Sequence, residues 1–377
     1  MVTFGRAAAV VDTAAITSNI GVVRDMVGPK CAVMAVVKAN GYGHGIFEAS
    51  KAALNGGANC LGVATVMEGV FLRRWDITAP ILVLSPAFEE EFENIILNKL
   101  ASTIFSIEKA KNLSTIAGYL EQDAKVHIKI DTGMNRVGFT GDAADIAQEI
   151  GEIMKLPGIV VEGIYSHFAA SDANPEFTTE QFERFMHIIG VLENHGLHIP
   201  IKHISNSGGI INHPKCNLDM VRSGVLTYGL APSSLVEGAK ELVGRGFKPA
   251  LTLKSRVSHV KTVMPGESVG YSRNFWPDNE IKVASVPLGY ADGLSRQLSN
   301  RGKVLINGVI CDIVGNVCMD QFMVDASNVD CKVRDEVIII GQSKDERIWA
   351  EQVGDWQRSI NYEVATAISE RVARFYI

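Results

Sequence analysis

Eight short apolar runs, many of them β-branched, recur through the first two thirds of the chain. They are CAVMAVV (31–37), LGVATV (61–66), PILVL (80–84), STIFS (102–106), KVHIKI (125–130), VVEGIY (160–165), IKHIS (201–205) and DMVRSGV (219–225). The runs are nearly continuous in apolar character, which suits strands buried on both faces. Between them the spacing is helical. Ala110, Leu113, Ala117 and Leu120 share one face, as do Phe182, Phe185, Met186, Ile189 and Leu192, and Thr178 with Gln181 predicts a capping box ahead of that second helix. Eight strands alternating with helices either close into a barrel or open into a doubly wound sheet. The count of eight favours the barrel. So does the clustering of polar residues at strand ends: Lys38, Tyr42, Lys129, Asp131, His167, Asn206, Ser207 and Arg222. That is the rim where a barrel builds its active site.

After about residue 240 the texture changes. ALTLKSRVSHVKTV, KVASVPLGY, KVLINGVICDIV and DEVIIIG read as strands separated by Gly, Asn and Asp turns, with helical segments returning only from Trp349. The expected architecture is α/β: a (β/α)8 TIM-type barrel over residues 1–240 and a mainly-β domain over 241–377.

The 377 residues, 47% of them hydrophobic and 21% charged, can bury a sizeable core. A formal net charge of −6, with no basic run interleaved with aromatics, excludes nucleic acid as an expected partner. No stretch reaches the length of a membrane span, and the N-terminus lacks the apolar core of a signal peptide. The six cysteines (31, 60, 216, 311, 318, 331) form no C-x-x-C pair, which argues against a zinc site or a disulfide framework; no metal is expected, and a reducing cytoplasm is the expected location.

The stretch AVVKANGYGHG (35–45) ends an apolar strand with a lysine and breaks at once into glycines. An amine that is to act as a nucleophile or base must first lose its proton, and a half-buried strand end encourages that. Pyridoxal 5′-phosphate is the cofactor that most often needs such a lysine, and it also needs a phosphate cradle. In barrels that cradle usually follows strands seven and eight. Those loops here carry SNSGG (205–209) and RSGV (222–225), which offer hydroxyls and open backbone N–H groups.

AVVKANGYGHG resembles the pyridoxal-phosphate signature of bacterial alanine racemases. The likeness continues in order through KIDTGMNRVGF, GIYSHFA, HISNSGG, MVRSGVLTYGL, PLGYADG, VCMDQ and INYEV. The resemblance implies a racemase interconverting L- and D-alanine, the latter destined for peptidoglycan. Lys38 would carry the cofactor and act as base toward one enantiomer, with Tyr271 as the second acid/base group on the opposite face. A free phenol holds its proton to about pH 10, and the family assists it through a hydrogen-bonded chain matching His167 and Arg222. Arg222 would face the pyridine nitrogen, where many pyridoxal enzymes place a carboxylate. Tyr42, Asn206, Ser207, Gly224, Val225 and Tyr362 match cofactor ligands around the phosphate. Arg136 would serve both cofactor and substrate carboxylate, while Met319 and Tyr290 would bound the substrate. Lys129 matches a lysine that is carbamylated in many members. Lys38 falls in the barrel but Tyr271 and Met319 in the β-domain, and the family draws these from different subunits, which implies a homodimer.

Three departures from the family pattern stand out: Asn316 where arginine is common, Ser272-Arg273-Asn274-Phe275 after Tyr271, and a tail, RVARFYI, without its usual proline. Cys318 reads as a structural thiol. The alternatives are a broader amino-acid racemase, accepting serine for example, and a barrel-type pyridoxal decarboxylase. Arg222 argues against the decarboxylase, since such enzymes set an acidic residue against the pyridine nitrogen.

Overall fold

The computed structural model describes residues 4–232 and 235–377. By internal contact the chain forms two compact units, one of residues 17–41 and 49–227, the other of residues 1–16, 42–48 and 228–377. The strands, in chain order, are β1 (Ala7–Val11), β2 (Ala32–Val36), β3 (Cys60–Val63), β4 (Ile81–Val83), β5 (Ala101–Ile104), β6 (Ala124–Lys129), β7 (Ile159–Tyr165), β8 (Ile201–His203) and β9 (Met220–Ser223). There follow β10 (Leu251–Arg256), β11 (His259–Val263), β12 (Ile281–Val286), β13 (Lys303–Ile306), β14 (Val309–Val314), β15 (Phe322–Asp325), β16 (Glu336–Ser343), β17 (Glu346–Ile348) and β18 (Ala373–Tyr376).

In the first unit β2 to β8 pair in sequence as parallel neighbours, and β9 returns beside β2. The ring closes between β8 and β9 through main-chain bonds from Asp219 N–H to the Lys202 carbonyl (3.1 Å) and from Arg222 N–H to the Ser205 carbonyl (3.0 Å). These eight strands coincide with the eight apolar runs, as expected of a (β/α)8 barrel. At the N-terminal end of the strands Met34, Leu82, Ala101 and Met220 form an apolar cluster.

The helix expected to be capped by Thr178 is capped four residues earlier. Asn174 is its N-cap, accepting from the Phe177 N–H at 3.0 Å, and Pro175 occupies the first turn. Thr178 and Gln181 are already helical and face inward, and Met186, placed on the apolar face by its spacing, is 36% exposed.

The second unit holds a ten-stranded sheet. Its β13–β14 hairpin turns on Asn307-Gly308, both at positive φ (51° and 82°), the signature of a two-residue type I′ turn. Two segments depart from the sequence reading. AAAVV, which carries no strand-like alternation, is β1, fully buried between antiparallel β10 and parallel β18. The tail after the last helix is β18 itself. Residues 7–11 therefore group with the β-rich unit, whereas a cut at 240/241 assigns them to the barrel; two ladders, one on each edge, hold them there.

Candidate active site

Lys38 stands two residues beyond β2, and the main chain then winds left-handed through Ala39, Asn40, Gly41 and Tyr42, with φ of 52°, 53°, 61° and 51°. Such a conformation costs an L-residue roughly 1–2 kcal/mol, so the surroundings must impose it. Glu68 does so. Its Oε1 accepts the Ala39 N–H at 2.7 Å, while Oε2 accepts the N–H groups of Ala64 (2.8 Å) and Thr65 (3.2 Å). With Thr65 Oγ1 accepting from the Glu68 N–H, this is also the capping box of helix Val66–Arg74. A single carboxylate thus starts a helix and pins the lysine loop. Burial, then the positive charge of Arg136, hold the partly buried Lys38 amine below its ordinary range; Glu68 opposes this and Arg222 adds to it.

Arg222, on β9, is 3% exposed. Its Nη1 donates to His203 Nδ1 (2.8 Å), and its Nη2 to His167 Nδ1 (3.0 Å) and the carbonyls of Ser166 (2.8 Å) and Ile204 (2.9 Å). The guanidinium also lies 5.2 Å from the centre of the Tyr165 ring. No carboxylate is among these partners, and burial pulls the group down to about 10. A guanidinium only donates, so both imidazoles accept at Nδ1 and carry their own proton on Nε2. Burial, then the charge of Arg222, keep His167 and His203 well below the usual histidine range, and both are neutral at pH 7.

Lys129 is buried at the end of β6. Its ammonium donates to the Ile130 carbonyl at 3.0 Å and stands 5.1 Å from the Tyr165 ring centre. Burial, then Arg222, bring it down to about 7. In the following loop Asp131 accepts from the N–H groups of Gly133 (2.9 Å), Asn135 (3.1 Å) and Arg136 (3.0 Å), presenting the exposed Arg136. His167 is steadied through its main chain, where the Gln181 amide donates to its carbonyl at 3.1 Å while Gln181 Oε1 accepts the Ala169 N–H.

Ser207 joins the loops after β8 and β9. Its Oγ accepts the Gly224 N–H at 3.0 Å and the Leu226 N–H at 3.5 Å, which leaves its hydroxyl hydrogen to donate. Val225, between those two residues in sequence, is buried. Asn206 works from behind as the N-cap of Ser207–Asn212, its Oδ1 accepting from the Gly209 N–H and the Ser171 hydroxyl.

The second unit carries the remaining candidates. Tyr42 lies 5.1 Å from Tyr228 and 6.4 Å from Tyr362, ring to ring, and burial pushes its phenol up to about 12. His44 stacks on Tyr228 at 4.4 Å. The glycines around them are obligatory: a Cβ on Gly43 would stand 2.0 Å from the Ala365 carbonyl oxygen, and one on Gly45 2.1 Å from the Tyr376 hydroxyl. Tyr290 and Met319 adjoin, since the Tyr290 N–H donates to the Cys318 carbonyl and the Ala291 N–H to that of Met319. Tyr271 projects from a separate turn in which Ser272 and Arg273 are both left-handed. Asn316, one of the departures from the family pattern, clamps that turn. Its Nδ2 donates to the Tyr271 carbonyl and its Oδ1 accepts from Asn274, both at 2.8 Å. Burial raises the Cys318 thiol, the inert direction.

Glu68 and His203 are not among the site residues expected from the sequence, and Gln181 is expected only as part of a helix cap. Glu68 was legible, because Thr65-Val-Met-Glu68 is a capping-box pattern. His203 and Gln181 matter only through partners far along the chain.

Comparison with known proteins gives a consistent answer. Residues 11–232 match the model of the alanine racemase N-terminal domain and residues 250–376 that of its C-terminal domain. An alanine racemase of Methanococcus maripaludis is 43% identical over 369 residues, 97% of each chain. The solved alanine racemase of Clostridium difficile 630 superposes with a TM-score of 0.92 at 37% identity, covering 100% of this chain and 97% of the other. That of Bartonella henselae, solved with covalently bound pyridoxal phosphate, gives 0.87 at 27% identity, covering 99% and 100%. The chain belongs to the alanine racemase family, the isomerases that interconvert the two enantiomers of alanine.

Proposed function

We propose that this chain racemises alanine with pyridoxal phosphate, using Lys38 and Tyr271 as proton carriers on opposite faces of the substrate α-carbon. The observation that carries the reading is the pairing of an amine held below its ordinary range, Lys38, with a buried arginine that has no carboxylate partner among the described residues, Arg222. The donor set fits the cofactor. Lys38 would hold it covalently; Ser207, Gly224, Val225, Tyr42 and Tyr362 would receive its phosphate, with Asn206 fixing their loop; Arg222 would face its ring nitrogen and Arg136 its phenolic oxygen. When bound, pyridoxal phosphate draws electron density from the substrate's Cα–H bond and makes that proton removable.

The protein's own groups then divide the work. Lys38, once deprotonated, can take the proton on one face, and its lowered pKa favours that form. Tyr271 must serve the other, and the Nε2–H that Arg222 imposes on His167 is a donor suited to a phenolate. Because Arg222 keeps its proton, it donates to whatever it faces and withdraws less charge than a protonated ring nitrogen does, which suits a single proton transfer. Arg136, Met319 and Tyr290 would take the alanine carboxylate and limit the pocket. Lys129, held at about 7, is partly neutral at physiological pH, as reaction with carbon dioxide to give a carbamate requires. Tyr271, Met319 and Tyr290 are 72%, 53% and 44% exposed; we read them as groups offered to a partner subunit, so that the working form is a homodimer. D-alanine made in the cytoplasm would supply peptidoglycan.

The test is a chiral separation of alanine after incubating protein and pyridoxal phosphate with each enantiomer separately. Convergence on an equal mixture from both sides is expected. An unchanged enantiomer, or release of carbon dioxide, would refute the assignment.

A further inference from the structure

At the end of the barrel opposite Lys38, the N-terminal mouth of the strands surrounds a cavity of about 1080 Å³. Barrel floors are normally packed and serve stability, whereas a space of this size takes a small ligand. Its walls include Met34, Leu82, Ile201 and Met220, all apolar, with Lys125 and Glu162 ion-paired at its edge. One buried polar ring also lines it: His127, 5% exposed.

His127 is the last member of a chain that begins at the active site. Its Nδ1 is 3.0 Å from His203 Nε2, and His203 Nδ1 is 2.8 Å from Arg222 Nη1. The proton positions along this chain are dictated. Arg222 donates, so His203 accepts at Nδ1 and holds its hydrogen on Nε2. His203 therefore donates to His127 Nδ1, and the neutral His127, which lines the cavity, carries its own hydrogen on Nε2, the ring nitrogen not engaged by His203. Burial, then Arg222, hold His127 down at about 4, so this neutral form prevails at pH 7. The ring has a place made for it: a Cβ on Gly163 would lie 2.3 Å from His127 Nδ1. The cavity is thus apolar where His127 enters its wall, and elsewhere its lining carries charges of both signs, Arg73, Lys99 and Lys125 against Asp76, Asp123 and Glu162.

We propose that this cavity is a second ligand site, for a small molecule with an apolar body and a carboxylate head, whose occupancy is felt at Arg222 through His127 and His203. The head accepts from His127 Nε2–H, the charges of the lining balancing one another with Lys125 paired to Glu162, and the body lies against the two methionines. An anion on that N–H makes His127 Nδ1 a better acceptor, which strengthens His203 as an acceptor from Arg222 in turn.

The experiment uses the cofactor-loaded protein labelled with ¹⁵N-histidine and ¹³C-methyl methionine, titrated with hexanoate. Saturable shifts are expected at the ring nitrogens of both His127 and His203, with a Kd of about 1 mM for a ligand of this size. Nuclear Overhauser contacts are expected from the hexanoate tail to the Met34 and Met220 methyls. Hexylamine, with the same tail and no acceptor, should shift neither ring. Ala101→Phe, which fills the cavity floor, should weaken hexanoate by about tenfold or more, and His127→Gln assigns the resonances. Absence of saturation, missing methionine contacts or undiminished binding by Ala101→Phe overturns the site. A shift confined to His127 overturns its connection to Arg222.

Discussion

Replacing Glu68 by glutamine changes one oxygen to an NH2 group, and its consequence can be worked from the contacts. The carboxylate accepts three main-chain N–H groups, those of Ala39, Ala64 and Thr65. The amide oxygen can keep the helix cap, but its NH2 then faces the Ala39 N–H, donor against donor. The bond lost is a charged one, of a class worth about 1.5–3 kcal/mol, and its exposed position puts it near the low end. About 1.4 kcal/mol is a factor of ten in population. The left-handed turn through Ala39 and Asn40 is the conformation that this bond supports against an intrinsic cost of similar size. Glu68→Gln should therefore weaken pyridoxal phosphate binding by about tenfold, because only the wound form presents Lys38 correctly. Spectroscopic titration of the apoprotein gives the affinity, and amide hydrogen exchange at Ala39 gives the loop opening independently. Glu68→Ala, which also removes the cap at Ala64 and Thr65, should in addition lower the urea midpoint. Wild-type affinity together with wild-type exchange in Glu68→Gln would refute the reasoning.

Lys38→Ala should lose racemisation and the visible absorbance of lysine-bound cofactor together; a variant retaining either would remove the lysine from its assigned role. Tyr271→Phe should keep the cofactor but cut exchange of the α-proton with deuterated solvent for one enantiomer by about 10²–10⁴-fold, the usual worth of a general acid/base, and equal loss for both would mean that Tyr271 is not face-selective. Asn316→Ala removes two bonds at the base of the Tyr271 turn, so kcat should fall several-fold with cofactor affinity unchanged; an unaltered kcat would show that the turn holds itself. For Lys129, folding lowers the pKa from about 10.4 in a free chain to about 7. Between those values the unfolded chain binds more protons, so its contribution to stability rises with pH across that window and is absent below it. Lys129→Met should flatten the rise in urea stability between pH 7 and pH 10, and an unchanged slope would mean that the buried amine does not titrate as described.

How much of this was legible in the sequence follows from the range over which each signal acts. A strand buried on both faces must be apolar along its length, so the eight barrel runs stand out locally, and their number sets the closure. Polar groups at strand ends are costly to bury without a purpose, which is why Lys38, His167, Ser207 and Arg222 announced themselves as a set. KVLINGVICDIV, taken whole as one run, is two strands, and Asn307-Gly308 is the local signal of the break because few residues tolerate two successive positive φ angles. Other features have no local signature. AAAVV is a strand because β10 and β18 lie on either side of it, some 240 and 360 residues away along the chain. Thr178 and Gln181 have the look of a cap, yet Asn174 starts the helix, and Gln181 is buried to hold the His167 carbonyl instead. The states of His167, His203 and His127 depend on a guanidinium brought to them by barrel closure, since only the direction of its donated bonds fixes where each imidazole keeps its hydrogen. Residue types and their order determined the fold class and the family; the protonation pattern within the barrel and the strain held beneath Lys38 were decided by tertiary contacts, because hydrogen-bond direction and burial exist only once distant segments meet.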